Sequence, residues 1–86
     1  MTMYRVLLER AGEKDLGRLA TEIHGRVIKA IQGLAANPRP PSCRKLSGSK
    51  NDWRIRVGDY RVVYEIADEI RVVRVNHVRH RREAYR

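Results

Sequence analysis

Cysteine is nearly absent from the sequence, since Cys43 is the only one among 86 residues. A single cysteine excludes an internal disulfide, and it also excludes a zinc site built mainly from cysteines. A chain that folds without disulfides suits a reducing compartment. We therefore expect a cytoplasmic location.

Long apolar runs are also missing. No stretch of the chain approaches the length that a membrane-spanning helix needs. The first residues, Met1–Arg5, begin a short strand-like pattern and lack the apolar core of a signal peptide. The sequence therefore predicts a soluble protein.

Carboxylates are scarce, and most of the basic residues that outnumber them are arginines. Ten Asp and Glu stand against 15 Arg and four Lys, which makes a formal net charge of +9. The carboxylates do not cluster as a catalytic Mg²⁺ requires, so we expect neither a metal nor a cofactor. Arginine binds phosphate through a planar fork of donors. The excess therefore predicts a polyanionic partner: nucleic acid, an acidic protein or an acidic membrane surface.

The length fits a single domain that covers residues 1–86. Residues 4–8 have the composition of a first strand, and apolar residues then recur at helical spacing from residue 9 to about residue 36. Thr21 is suited to cap a second helix within this stretch, so the spacing predicts a helical hairpin. Asn37-Pro38 ends it.

The second half of the chain alternates between polar and apolar residues, as strands do. Residues 53–57 and 60–66 flank the turn dipeptide Gly58-Asp59, and residues 70–78 follow a second turn at Asp68-Glu69. The order β-α-α-β-β-β predicts an α+β fold. A helical hairpin should pack on one face of a mainly antiparallel four-stranded sheet, followed by a short C-terminal tail.

The dipeptide Gly58-Asp59 determines which residues of the central hairpin face each other. A two-residue turn pairs Arg56 with Arg61 and leaves Arg54 on the same face. Like charges directly opposite each other destabilise a sheet, so this pair indicates an anion between the two guanidinium groups. The other face should form the core wall under the helices; it holds Trp53, Ile55, Val57, Tyr60, Val62 and Tyr64.

The next hairpin should extend the arginine face. A two-residue loop at Asp68-Glu69 would place Asn76 beside Arg61 and Arg74 beside Val63 on the same face. The same register directs His77 to the core, which predicts a structural role for it.

Two segments resemble the RelE branch of the RelE/ParE toxin superfamily. Residues 45–46 and 53–64 (WRIRVGDYRVVY) are similar to the central hairpin of that branch, and residues 78–85 (VRHRREAY) are similar to its C-terminal catalytic segment. The helical hairpin, Asn37-Pro38 and a short strand at residues 44–46 fit as well. The resemblance therefore covers nearly the whole chain.

This resemblance implies a βααβββ fold and a function. The protein would be the toxin of a type II toxin–antitoxin system, an mRNA interferase that cuts mRNA in the ribosomal A site and arrests translation. Cleavage would need no metal, because the ribose 2′-hydroxyl attacks the neighbouring phosphate and leaves a 2′,3′-cyclic phosphate and a 5′-hydroxyl. The implied partners are a cognate antitoxin, the ribosome and mRNA, without a membrane or a metal.

Position by position, the resemblance implies five catalytic residues. Arg61 matches an arginine that contacts the scissile phosphate, and Arg81 matches one that stabilises charge or protonates the leaving oxygen. Tyr85 matches a tyrosine that stacks on or orients a nucleotide, while Arg54 and Arg56 replace basic residues that are often lysines. Because a guanidinium does not readily lose its proton, the acceptor of the 2′ proton stays open.

Other polar residues are candidates for contacts with the RNA. His80 is a candidate because histidine is the residue type suited to acid–base catalysis near neutral pH, although a lone histidine in a basic tail is more often an ordinary surface residue. The candidates are Arg44, Lys45, Lys50, Arg74, Asn76, His80 and Arg82.

Two other functions fit parts of the sequence. A ParE-like inhibitor of DNA gyrase would share the fold, but the resemblance places the combination of Arg61, Arg81 and Tyr85 in the RelE branch. A non-catalytic RNA-binding module would use the same arginines only to hold phosphates.

Overall fold

Two helices and five strands make up the protein in the computed structural model, which describes residues 3–48 and 51–82. In chain order they are β1 (Arg5–Leu8), α1 (Arg10–Gly17), α2 (Thr21–Gly33), β2 (Arg44–Lys45), β3 (Asp52–Val57), β4 (Tyr60–Ala67) and β5 (Val72–His80). The predicted α+β class and helical hairpin are confirmed. Neither helix of this part of the chain is long and apolar enough to cross a membrane.

All five strands belong to one sheet, in the order β1-β5-β4-β3-β2. β1 runs parallel to β5, and the other neighbouring strands are antiparallel. The prediction of four strands was one short. β2 has only two residues, too few to show the alternation by which strands are recognised, and it forms by pairing with Trp53 and Arg54 of β3.

The hydrophobic core lies between the helices and one face of the sheet. α1 contributes Leu16, and α2 contributes Val27, Ile31 and Leu34. The strands supply the remaining buried side chains, namely Ile55, Val57, Val62, Tyr64, Ile66, Val73, Val75 and Val78. Trp53 and Tyr60 pack against this cluster, so the predicted core wall of the central hairpin is confirmed.

α1 covers the edge of β5 beyond the point where β1 ends. β1 pairs only with Val72–Val75, and further along the edge the Val78 N–H donates a hydrogen bond of 3.0 Å to the Asp15 carboxylate. The helix backbone approaches the strand closely, because a Cβ on Gly12 would lie 2.7 Å from the Val75 carbonyl oxygen. Glycine is therefore required at this helix position.

A polar cluster ties the segment between α2 and β2 to the loop between β4 and β5. The Arg39 guanidinium donates to both carboxylate oxygens of Asp68, at 3.1 and 2.8 Å. The Tyr4 hydroxyl also donates to Asp68, at 2.7 Å. Arg39 lies over the Trp53 ring, 5.1 Å from its centroid. These contacts join four stretches that are distant in sequence.

We expect Gly12→Ala to lower the free energy of unfolding by roughly 1–3 kcal/mol, because the new methyl group overpacks against the β5 backbone. Gly25→Ala in α2 is the matched control. Nothing lies within 4 Å of its added Cβ, so alanine should stabilise the helix by about 0.5–1 kcal/mol. Urea unfolding compares the two variants. Equal stability of both proteins would contradict the close approach of α1 to β5.

Asp68 should make stability depend on acid pH. Its hydrogen bonds from Arg39 and then from Tyr4 lower the pKa of Asp68 from 3.8 to about 2. A lowered pKa contributes stability that is fully present above pH 3.8 and is lost as the pH falls through about 2. Asp68→Asn should therefore have a lower Tm than the wild type at neutral pH, and this difference should shrink between pH 4 and pH 2. Thermal unfolding across that range measures it. A constant difference would show that the ionised Asp68 contributes nothing.

Candidate functional site

The sheet face that points away from the helices carries a group of arginines. The turn at Gly58-Asp59 has two residues, and β3 and β4 pair in the predicted register, with Arg56 opposite Arg61 and Val57 opposite Tyr60. Arg54 lies on the same face as Arg56, two residues earlier. The predicted arrangement of the three central arginines is confirmed.

Burial differs sharply within the central pair. Arg56 is exposed, whereas only 3% of the Arg61 surface is accessible. Arginine is rarely this buried, because withdrawing its charge from water is costly. Burial also lowers the local dielectric constant around the Arg61 guanidinium, which strengthens its interaction with any anion that reaches it. Arg61 is therefore the fixed centre of the face.

A depression of about 320 Å³ opens beside this centre. β2 forms its far wall, because Arg44 pairs with Arg54 across the two strands. The lining residues are Ser42, Arg44, Arg54, Arg56 and Arg61. A hydrogen bond from the core holds the segment before this wall. The Tyr64 hydroxyl donates a buried hydrogen bond of 2.8 Å to the Pro38 carbonyl and so fixes the segment that leads to Ser42.

The predicted register of β5 was wrong. Four residues, Asp68 to Arg71, separate the paired ends of β4 and β5, and Arg71 adopts a φ of 53°. Arg74 therefore pairs with Glu65, two residues beyond its predicted neighbour Val63. Its guanidinium contacts the carboxylate of Glu65 at 3.3 Å and that of Glu9 at 3.8 Å. Arg74 lies on the arginine face, but two acidic partners offset its charge.

A β-bulge changes the register a second time, at Asn76. Tyr64 pairs with Val75 while Val63 pairs with His77, so the ladder skips Asn76. The prediction that Asn76 lies beside Arg61 was therefore wrong. The bulge turns His77 to the arginine face, which corrects its predicted place in the core, and it sets Arg79 directly opposite Arg61.

Arg81 joins the site through the backbone. Its N–H donates a hydrogen bond of 2.7 Å to the Asp59 carbonyl, which brings the end of β5 against the β3–β4 turn. A second depression of about 310 Å³ opens there, lined by Arg56, Arg61, Arg81 and Arg82. The two depressions share Arg56 and Arg61.

Several predicted contact residues lie elsewhere. His80 pairs with Tyr60 on the helix side of the sheet, where the two rings meet edge to face at 5.3 Å. Lys45 pairs with Trp53 and so alternates to that side as well. Lys50 and Tyr85 lie outside the described residues. The site as described is thus made of arginines from four strands and the segments beside them.

Sequence reasoning missed two residues of this face, Ser42 and Arg79. Ser42 precedes a strand of only two residues, which gives no pattern to follow. Arg79 lies beyond residues 70–78, the last predicted strand, and the four-residue loop has no signature in the sequence. The available signal for Arg79 was the valine spacing of β5, in which Val78 follows Val75 after three residues instead of two, as expected where a bulge shifts the alternation.

Three pairs of like charges therefore face each other across neighbouring strands: Arg44–Arg54, Arg56–Arg61 and Arg61–Arg79. Each pair destabilises the sheet in the absence of an anion. Guanidinium groups that converge on a shallow depression match the geometry and charge of a phosphodiester. In residues 3–48 and 51–82, no three His, Cys, Asp or Glu side chains are grouped so as to hold a metal ion. The chemistry available to this face is phosphate binding and stabilisation of negative charge.

Comparisons with known proteins agree with this architecture. Residues 6–85 match the family model described as the ParE toxin of the type II toxin–antitoxin system, parDE. No curated protein matches the chain in sequence.

Solved structures of toxin–antitoxin complexes are also similar. The RelBE2 complex from Mycobacterium tuberculosis contains a chain that is 26% identical, with a TM-score of 0.81, and the match covers 92% of this chain and 99% of that one. The archaeal RelE–RelB complex from Pyrococcus horikoshii contains a chain that is 27% identical, with a TM-score of 0.82. The match covers 93% of this chain and 97% of that one. The intact Escherichia coli RelBE complex contains a chain that is 26% identical, with a TM-score of 0.77. The match covers 87% of this chain and 93% of that one. The chain therefore belongs to the ParE toxin family of type II toxin–antitoxin systems, and within the RelE/ParE superfamily it is a RelE-type toxin.

Proposed function

We propose that this toxin is a ribosome-dependent mRNA endoribonuclease that acts in the cytoplasm and arrests translation. The observation that carries the proposal is the pair of depressions that share Arg56 and Arg61. One phosphodiester at these two arginines would leave room on either side for the nucleotides that flank it. The resemblance to the RelE branch supplies the target, mRNA in the ribosomal A site.

The proposed reaction needs no electron transfer and no added nucleophile. The 2′-hydroxyl loses its proton as its oxygen forms a bond to the neighbouring phosphorus, the bond from phosphorus to the 5′-oxygen breaks, and the leaving oxygen takes up a proton, so that no proton is consumed overall. Negative charge accumulates on the phosphorane between these events. Arg61, held in place by burial, and Arg56, opposite it, are positioned to stabilise that charge. A guanidinium does not readily lose its proton, so neither arginine is suited to accept the 2′ proton.

Arg81 is proposed to act on the leaving-group side. It lines the second depression with Arg56 and Arg61, and its backbone is fixed to the β3–β4 turn. This placement suits stabilisation of the charge that develops on the 5′-oxygen. The stacking role of Tyr85 stays a prediction from the resemblance.

A cognate antitoxin is the proposed partner. The three similar structures described above are complexes of a toxin with its antitoxin. An acidic segment of such a partner would relieve the repulsion between the paired arginines and would block access of RNA to them. Inhibition by covering the arginine face follows directly from its charge.

Inhibition of DNA gyrase is the second candidate function, and the family model favours it by its description as a ParE toxin. The arginine face favours the ribonuclease. An inhibitor that only binds gyrase has no need for three pairs of arginines that face each other across neighbouring strands. The two functions differ in their targets and are separated by experiment.

Arg61→Ala and Arg56→Ala should each reduce mRNA cleavage in a cell-free translation extract by about 10²–10³-fold, because each removes a donor that stabilises the transition state. Lys29→Ala, an exposed charge on α2, is the matched control and should cut like the wild type. Primer extension measures cleavage, and circular dichroism verifies folding. Because Arg61 is buried, exposed Arg56 provides the test that is independent of stability. Full activity of Arg56→Ala would refute the site.

A single 2′-deoxynucleotide on the 5′ side of the cut should abolish cleavage at that bond, since it removes the nucleophile. The neighbouring bonds of the same mRNA serve as the internal control. The unmodified mRNA should yield a 2′,3′-cyclic phosphate, identified by mass spectrometry. Cleavage of the deoxy-substituted bond would rule out the proposed chemistry. Translation arrest without any cut, together with loss of supercoiling by gyrase, would select the ParE-like function.

A further inference from the structure

We propose that Arg79 forms a second phosphate subsite, which binds the phosphodiester next to the scissile one. This inference rests on the proposed function and extends it from one phosphate to a track along the RNA backbone. The feature that suggests it is the pairing of Arg79 with Arg61 on the arginine face.

The β-bulge at Asn76 is what places Arg79 there. Val75 faces the core, and in a regular strand Arg79, four residues later, would face the core as well. Because the ladder skips Asn76, His77 and Arg79 instead share the face of Val63 and Arg61. Bulges often redirect side chains next to functional sites. This one adds a cation to a face that already carries opposed arginines.

The surroundings of Arg79 leave its charge available. Its guanidinium contacts His77 Nδ1 at 3.2 Å, and within residues 3–48 and 51–82 it forms no salt bridge with a carboxylate. An imidazole nitrogen that accepts this hydrogen bond orients the guanidinium but brings no negative charge to it. The Asp15 carboxylate lies near the same nitrogen, 3.7 Å from Nδ1, and accepts the hydrogen bond of the Val78 N–H. The half-buried guanidinium of Arg79 is therefore oriented and still charged.

Arg74 provides the contrast on the same strand and the same face. Carboxylates of Glu65 and Glu9 lie within 4 Å of its guanidinium. Arg74 thus has the acidic partners that a structural arginine on a solvated sheet face acquires. Among the described residues no carboxylate forms a salt bridge with Arg79, and this separates the anion-binding end of the face from its neutralised end.

The spacing of the strands fits a backbone track. Arg56, Arg61 and Arg79 form one row across β3, β4 and β5. Neighbouring strands are about 4.8 Å apart, so the row spans roughly 10 Å at the backbone. A row of this length exceeds what one phosphate contacts and suits two consecutive phosphates. Arg61 in the middle would contact the scissile group, and Arg79 would contact its neighbour.

Equilibrium binding of a 2′-O-methyl oligonucleotide, which cannot be cleaved, tests the subsite directly. Fluorescence anisotropy at several salt concentrations gives the affinity and its salt dependence. Arg79→Ala should weaken binding roughly tenfold, as expected for loss of a charged hydrogen bond. It should also reduce the slope of log K against log salt by about 0.7, the contribution of one phosphate contact on a single strand.

Lys29→Ala on α2 is the control for the loss of one positive charge, and it should leave affinity and slope close to those of the wild type. Arg79→Lys keeps the charge without the planar fork and should retain the slope while losing part of the affinity. It also covers the case in which Arg79→Ala fails to fold, which thermal unfolding would reveal. Wild-type affinity and slope in Arg79→Ala, or wild-type affinity in Arg79→Lys, would overturn the subsite, as would a wild-type protein that does not bind the oligonucleotide.

Cleavage in a translation extract distinguishes failure of this inference from failure of the proposed function. A wild-type protein that binds the oligonucleotide with the Arg79-dependent slope but cuts no mRNA would refute the ribonuclease and retain the subsite. A wild-type protein that cuts mRNA while Arg79→Ala binds unchanged would refute the subsite and retain the ribonuclease.

Discussion

The two-residue turn between β3 and β4 holds the whole arginine face in register. Gly58 has a φ of 59°, a conformation that suits glycine because other residues are strained there. The turn forces Arg56 opposite Arg61. The Asp59 carbonyl accepts the hydrogen bond of the Arg81 N–H, so the same turn also positions the end of β5. One further residue in this loop would shift every pair and turn one strand's arginines toward the core.

The opposite face of the sheet compensates for the repulsion that this register creates. Cross-strand arginine pairs destabilise the folded state, and burial of Arg61 adds a desolvation cost. The helix side of the same strands buries a cluster of aliphatic side chains around Tyr64, which is fully inaccessible to solvent. Locally destabilising contacts are typical of functional sites, and here the paired and buried arginines are confined to one face of the sheet.

The central hairpin shows how much of the site was predictable. A Gly-Asp dipeptide between two alternating runs defines turn, register and face together, so the positions of Arg54, Arg56 and Arg61 followed from local chemistry. β5 shows where such reasoning fails. Its loop depends on Arg71 at a positive φ, which a non-glycine residue rarely adopts, and its bulge has no residue type of its own. Two register shifts followed, and with them the errors at Arg74, Asn76 and His77.

Sequence alone thus determined the fold class, the helical hairpin, the core face of the central strands and the three central arginines, because all of these depend on periodicity and on one short turn. Tertiary structure decided the rest. The bulged part of β5 lies where α1 replaces β1, through the contact of Asp15 with Val78, 63 residues apart. The wall with Ser42 and Arg44 depends on the Tyr64 hydrogen bond to Pro38. Contacts between segments so far apart leave no local pattern, and they turn a hairpin with three arginines into a site with two depressions.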